Sequence, residues 1–177
     1  MDKVKNAVLS KKGTVAVTVS GALTAAVSLV MNLVLIPKIE ATTNGIRCFD
    51  MNFAYSFETA KEFLSLLSDA GRSLYLTVQL PLDFVYPVAY TLFFCMLIIR
   101  LTKKANALLV LPALLAVFDY CENVCTIIML KSAELSKPLA TAGSIFTSVK
   151  TVLMYLVFAV IIVCIVRWCI NKKRSAK

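Results

Sequence analysis

Residues 114–130, LLAVFDYCENVCTIIML, form an apolar run with Asp119, Glu122 and Asn123 at its centre. A charged side chain in mid-span costs about 2.5–3.5 kcal/mol, whereas each Leu, Ile, Val or Phe returns only about 0.3–0.6 kcal/mol. Two acids and an amide turned to lipid would make this segment marginal as a span. They are therefore expected to face the interior of a helical assembly, to pair, or to be protonated. At about 100° per residue Asp119, Glu122, Asn123 and Thr126 share one face, so one interior surface can take them all.

The same kind of segment recurs along the chain. Of 177 residues, 59% are hydrophobic and 16% charged, which excludes an ordinary soluble domain. Spans are expected at about residues 14–36, 74–100, 106–130 and 144–167. Each approximates the roughly 20 helical residues that cross a bilayer core. The first begins after a basic stretch, as a signal peptide does, but its apolar core is too long for one and it reads as an uncleaved anchor. Residues 57–72 carry Ser56 as a cap and Thr59 with Glu62 at capping-box spacing. Apolar and charged residues there separate onto opposite faces, which predicts an amphipathic helix lying at the outer interface. The fold class expected is all-α: a four-transmembrane-helix bundle forming one membrane domain over residues 1–177, with that outer helix between the first and second spans.

Orientation follows from the cations. With the amino terminus cytoplasmic, twelve Lys and Arg flank the spans on the inner side and six on the outer. Both termini are therefore expected in the cytoplasm. This asymmetry accounts for the net charge of +9 without nucleic acid, for which no separate domain remains.

The other spans also turn one polar or small face. The second carries Arg72, Gln79, Asp83, Tyr86 and Tyr90 along a stripe, with Tyr75 nearby. The first carries Gly21, Ala25, Ser28 and Asn32, and the fourth Gly143, Thr147 and Lys150. Counted from the outer ends, Asn32, Asp83, Glu122 with Asn123, and Lys150 fall at one depth. Pro87 frees the Asp83 carbonyl and Pro81 that of Thr77. A kink and an unpaired oxygen for the tyrosines are expected there. One lysine cannot neutralise Asp83, Asp119 and Glu122 together, so at least one carboxyl is expected to hold a proton.

These residues define an expected cavity in the outer half of the bundle, with Asn32, Arg72, Tyr75, Asp83, Tyr86, Tyr90, Asp119, Glu122, Asn123 and Lys150 as its candidate ligand-binding residues. Three functions suit it. The first is binding or carrying an amphipathic ligand, a lipid or a cation. The second is a structural or assembly subunit whose buried charges only clip helices together, by about 0.6–2 kcal/mol per contact. The third is an intramembrane acid–base enzyme of isomerase or hydrolase type on a lipid-like substrate, with Asp83, Asp119 and Glu122 as catalytic candidates. No cofactor or metal is expected: histidine is absent, and Cys121 with Cys125 at i and i+4 read as small apolar fillers. The partners expected are membrane lipids, a lipid-like or cationic ligand, and further chains of the same or another kind in an oligomer.

The pattern Gly71-Arg72-x-x-Tyr75, Asp83-x-x-Tyr86-Pro87-x-x-Tyr90, Asp119-x-x-Glu122-Asn123 resembles that of a family of small four-helix integral membrane proteins without a known activity. The resemblance covers roughly residues 60–130 and implies the architecture alone.

Overall fold

The computed structural model describes residues 2–174 and is helical throughout, with no strand among them. Six helices follow one another: α1 (Asp2–Leu9), α2 (Lys11–Thr43), α3 (Phe57–Leu66), α4 (Asp69–Thr102), α5 (Ala107–Lys131) and α6 (Lys137–Arg174). Helices α2, α4, α5 and α6 are each long and apolar enough to cross a membrane, which makes the chain an integral membrane protein. A helix suits that solvent because it satisfies every backbone group within its own segment.

Helices α4, α5 and α6 pack on one another, and α2 docks chiefly on α4. The most apolar windows of α4 and α5 are 39% and 44% buried inside the protein, against 22% for α2 and 17% for α6, so the two acid-bearing helices form the centre. Outward-facing Leu33, Val85, Val117 and Ile162 remain exposed, a distribution a soluble protein would not tolerate. Both described ends of the chain lie at one end of the assembly. There Arg100 on α4 donates to the carbonyls of Val8 and Ser10 and to Thr14 Oγ1, tying down α1, while Trp168 and Lys172 lie beside Leu101 and Thr102. Connectors 44–56 and 132–136, with α3, lie at the opposite end, here the loop end.

Each π-helical turn precedes a proline. In α2 the turn Met31–Leu35 is π-helical and Pro37 follows; in α4 Tyr75–Gln79 is π-helical and Pro81 follows. A wider turn accommodates the carbonyl that the proline ring would otherwise strike. The two π turns touch each other.

The helix expected over residues 57–72 divides in two. Leu67 leaves helical geometry with ψ 113°, and Ser68 caps a new helix by accepting from Gly71 N at 3.1 Å. Residues from Asp69 onward thus belong to α4, and α3 ends at Leu66. A second serine, unexceptional in the sequence, out-competes continuation because its hydroxyl takes an otherwise orphaned amide. The first, second and fourth membrane helices run past the expected spans at both ends, since polar residues continue each helix beyond its apolar core, whereas the third matches its expected span to within one residue.

Two apolar cores form. One, at the loop end, contains Ile39, Cys48, Phe49, Phe63, Tyr75, Met129 and Leu130; the other contains Tyr90, Phe94, Ile98, Leu115, Val157 and Ile161. Connector 44–56 is part of the first rather than a loose loop. Cys48 is fully buried, and burial, then the charges of Asp50 and Glu40, pushes its thiol well above the usual range. In native protein Cys48 is expected to resist maleimide across mildly alkaline pH, while exposed Cys169 reacts; mass spectrometry of labelled peptides reads both. Rapid labelling of Cys48 would show that the connector is not packed as described.

Candidate functional site: a buried charged layer

Between the two cores lies a polar layer supplied by α4, α5 and α6. On α5, Asp119, Glu122, Asn123 and Thr126 are all buried, spaced as one helical face. Lys150 of α6, with 15% of its side chain exposed, forms ion pairs with Asp119 at 3.4 Å and with Glu122. Tyr90 of α4 donates its hydroxyl to Asp119 Oδ2 at 2.9 Å, and Thr147 donates to Glu122 Oε1 at 2.6 Å. Each acid of α5 is thus held by Lys150 and one hydroxyl. Such charge-assisted bonds are the strong ones in an apolar surround.

Asp83 is buried at the same level on α4, within electrostatic reach of Asp119 and Lys150, and makes no ion pair among the described residues. The carbonyl that Pro87 frees is not left unpaired, contrary to the sequence expectation. Asn123 Nδ2 donates to Asp83 O at 3.0 Å, and Tyr120 donates to Phe84 O at 3.0 Å. An amide with two donors on the facing helix reaches that oxygen, whereas the three α4 tyrosines point elsewhere.

Other expected members leave the layer. Asn32 is exposed on α2 and donates to Ser28 O at 2.9 Å, and Ala25 of the expected stripe is exposed with it, because α2 docks by the neighbouring face that buries Thr24 and Met31. Tyr75 donates to Asp50 at 3.0 Å within the loop-end core. Arg72 donates to the carbonyls of Leu64 and Leu130, joining the ends of α3 and α5. Tyr86 packs edge-on against Tyr90, 5.1 Å between centroids, at the margin of the layer.

One contributor escapes sequence reasoning, and a second, on the expected stripe of α4, was not among the candidate ligand-binding residues. Tyr55, in the connector, is fixed by its amide donating to Ser144 Oγ at 2.9 Å, and its hydroxyl is buried without a hydrogen-bond partner. A Cβ on Gly143 would stand 2.3 Å from that hydroxyl, so only glycine admits the ring there. Burial, then the negative charge of Glu122, pushes the Tyr55 hydroxyl above its usual range, which keeps it neutral. Gln79, in the π turn of α4, is wholly buried with neither side-chain polar atom bonded. Its spacing from Asp83 was visible in the sequence, its isolation was not.

The four described cavities are lined by residues other than Asp83, Asp119, Glu122 and Lys150. In the layer itself Asp119 and Glu122 are each bonded by neighbouring side chains. No group of three acidic or sulfur side chains converges to hold a metal ion among the described residues. No protein-family model matches the chain, and no curated protein or solved structure matches it.

Proposed function

We propose that the protein binds a cation inside the membrane, that this cation is a proton, and that its uptake by the layer is coupled to what the protein carries or senses. The observation that carries the proposal is the charge count: three carboxylates face one ammonium between two apolar cores. An uncompensated buried ion costs several kcal/mol even after relaxation, roughly an order more than a surface ion pair returns. The layer therefore needs a further positive charge. A proton fits where the carboxylates do not converge with a third ligand on a metal-sized point.

In the proposed arrangement the loop end faces outside and both termini lie in the cytoplasm, as the distribution of cations favours. Helix α3 rests at the outer interface as a lid, with Ala60 and Phe63 turned inward and Glu58, Lys61 and Glu62 outward. Protons reach the layer from that side, where Tyr55 and Gln79 offer unpartnered polar atoms. Tyr90, Phe94, Leu115 and Val157 close the other.

Infrared difference spectroscopy of full-length protein in lipid tests this. A protonated-carboxyl stretch is expected at neutral pH, fading as pH rises and altered by Asp83→Asn. Absence of that band would leave only the helix-clip role, which the many internal bonds of Asp119 and Glu122 also suit.

A further inference from the structure

A groove of about 510 Å³ lies at the loop end, between α3, the first turn of α4 and connector 132–136. That volume is in the range of small-ligand sites, about 300–1,000 Å³. Its polar wall carries Lys61 and Arg72. Lys61 is exposed and makes no ion pair among the described residues, while Arg72 bonds two carbonyls and is positioned by them. Glu134, across the groove, leaves one cation in excess. Leu64, Met129 and Leu135 line it as apolar wall and floor. Arg72 stands in the first turn of α4 and Met129 in the last turn of α5, so the groove sits where membrane spans end.

We infer that this groove binds an anionic phospholipid, its phosphate held by Lys61 and Arg72 and the start of an acyl chain laid over Leu64, Met129 and Leu135. A guanidinium with unused donors beside a free ammonium matches a phosphodiester. The depth matches a headgroup, and the excess of one cation matches its single charge. A free phosphate ion would satisfy the cations but leave the apolar wall uncovered. The site is separate from the charged layer and does not depend on the proton reading.

The test uses the full chain in detergent, offered dioleoyl phosphatidylglycerol or dioleoyl phosphatidylcholine and examined by native mass spectrometry. The anionic lipid is expected to be retained about tenfold better, the worth of roughly one charge-assisted bond. Lys61→Glu, at an exposed position, is expected to abolish that preference without loss of folding. Equal retention of both lipids, or an unchanged preference in Lys61→Glu, would overturn the inference. So would full displacement of bound lipid by inorganic phosphate alone, which would place a free anion in the groove.

Discussion

Lys150→Met is expected to destabilise the protein by about 3–5 kcal/mol, the usual cost of removing one partner from a buried ion pair. The mutation leaves Asp119 and Glu122 facing each other with only the Tyr90 and Thr147 hydroxyls to hold them. Thermal unfolding in mild detergent measures the loss. Methionine is close to lysine in volume, so packing changes little and the effect is chiefly electrostatic. The rescue is the informative arm. Adding Asp119→Asn and Glu122→Gln removes the charges that lysine balanced, and should restore most of the stability, because neutral amides in a buried layer need no counter-ion. A Lys150→Met protein as stable as the wild type would mean that these pairs contribute nothing net to the fold and that the acids are neutralised by protons in place of lysine.

Gly143→Ala should cost about 1–3 kcal/mol, the range for adding a methyl to a packed interior. The added carbon would meet Tyr55 Oη at 2.3 Å, Met129 Cε at 3.4 Å and Cys125 Cβ at 3.5 Å. Tyr55 cannot simply withdraw, since its amide is bound to Ser144 Oγ. The strain is therefore expected to pass into connector 44–56, where limited proteolysis would detect loosening before global unfolding. Tyr55→Phe removes a buried hydroxyl that has no partner, so alone it is expected to be neutral or mildly stabilising. Combined with Gly143→Ala it should recover most of the loss, a non-additivity that a double-mutant cycle isolates. Additive effects would show that the two residues do not touch.

The helices themselves were legible because bilayer-length apolar runs leave the backbone one solution. The inward facing of Asp119 and Glu122 was legible for a related reason: helical spacing puts them on one side, and lipid makes the opposite choice too costly. Lys150 followed by the same reasoning from the fourth span. The break at Leu67 was harder. Ser56 and Ser68 both cap, and nothing local ranks a cap above continuation of an amphipathic pattern; Gly71 packs against Thr42 of α2, a contact 29 positions away in the chain that holds the second helix where it is. Asn32 was misplaced because α2 docks on α4 by the face of Thr24 and Met31, and in a span apolar on nearly every side helical period alone does not rank one face above its neighbour.

By itself the sequence determined the number of spans and the burial of a charged layer. Both depend on the transfer of side chains from water to hydrocarbon, which composition and period carry directly. Tertiary structure alone decided the partners within that layer: Asn123 on the Asp83 carbonyl, Thr147 on Glu122, Tyr90 on Asp119, and the departure of Arg72 and Tyr75 to the loop end. A hydrogen bond is settled within a few tenths of an ångström between residues far apart in the chain. Helical period places a side chain on a face, but only the packed distance between two helices determines which atoms on those faces meet.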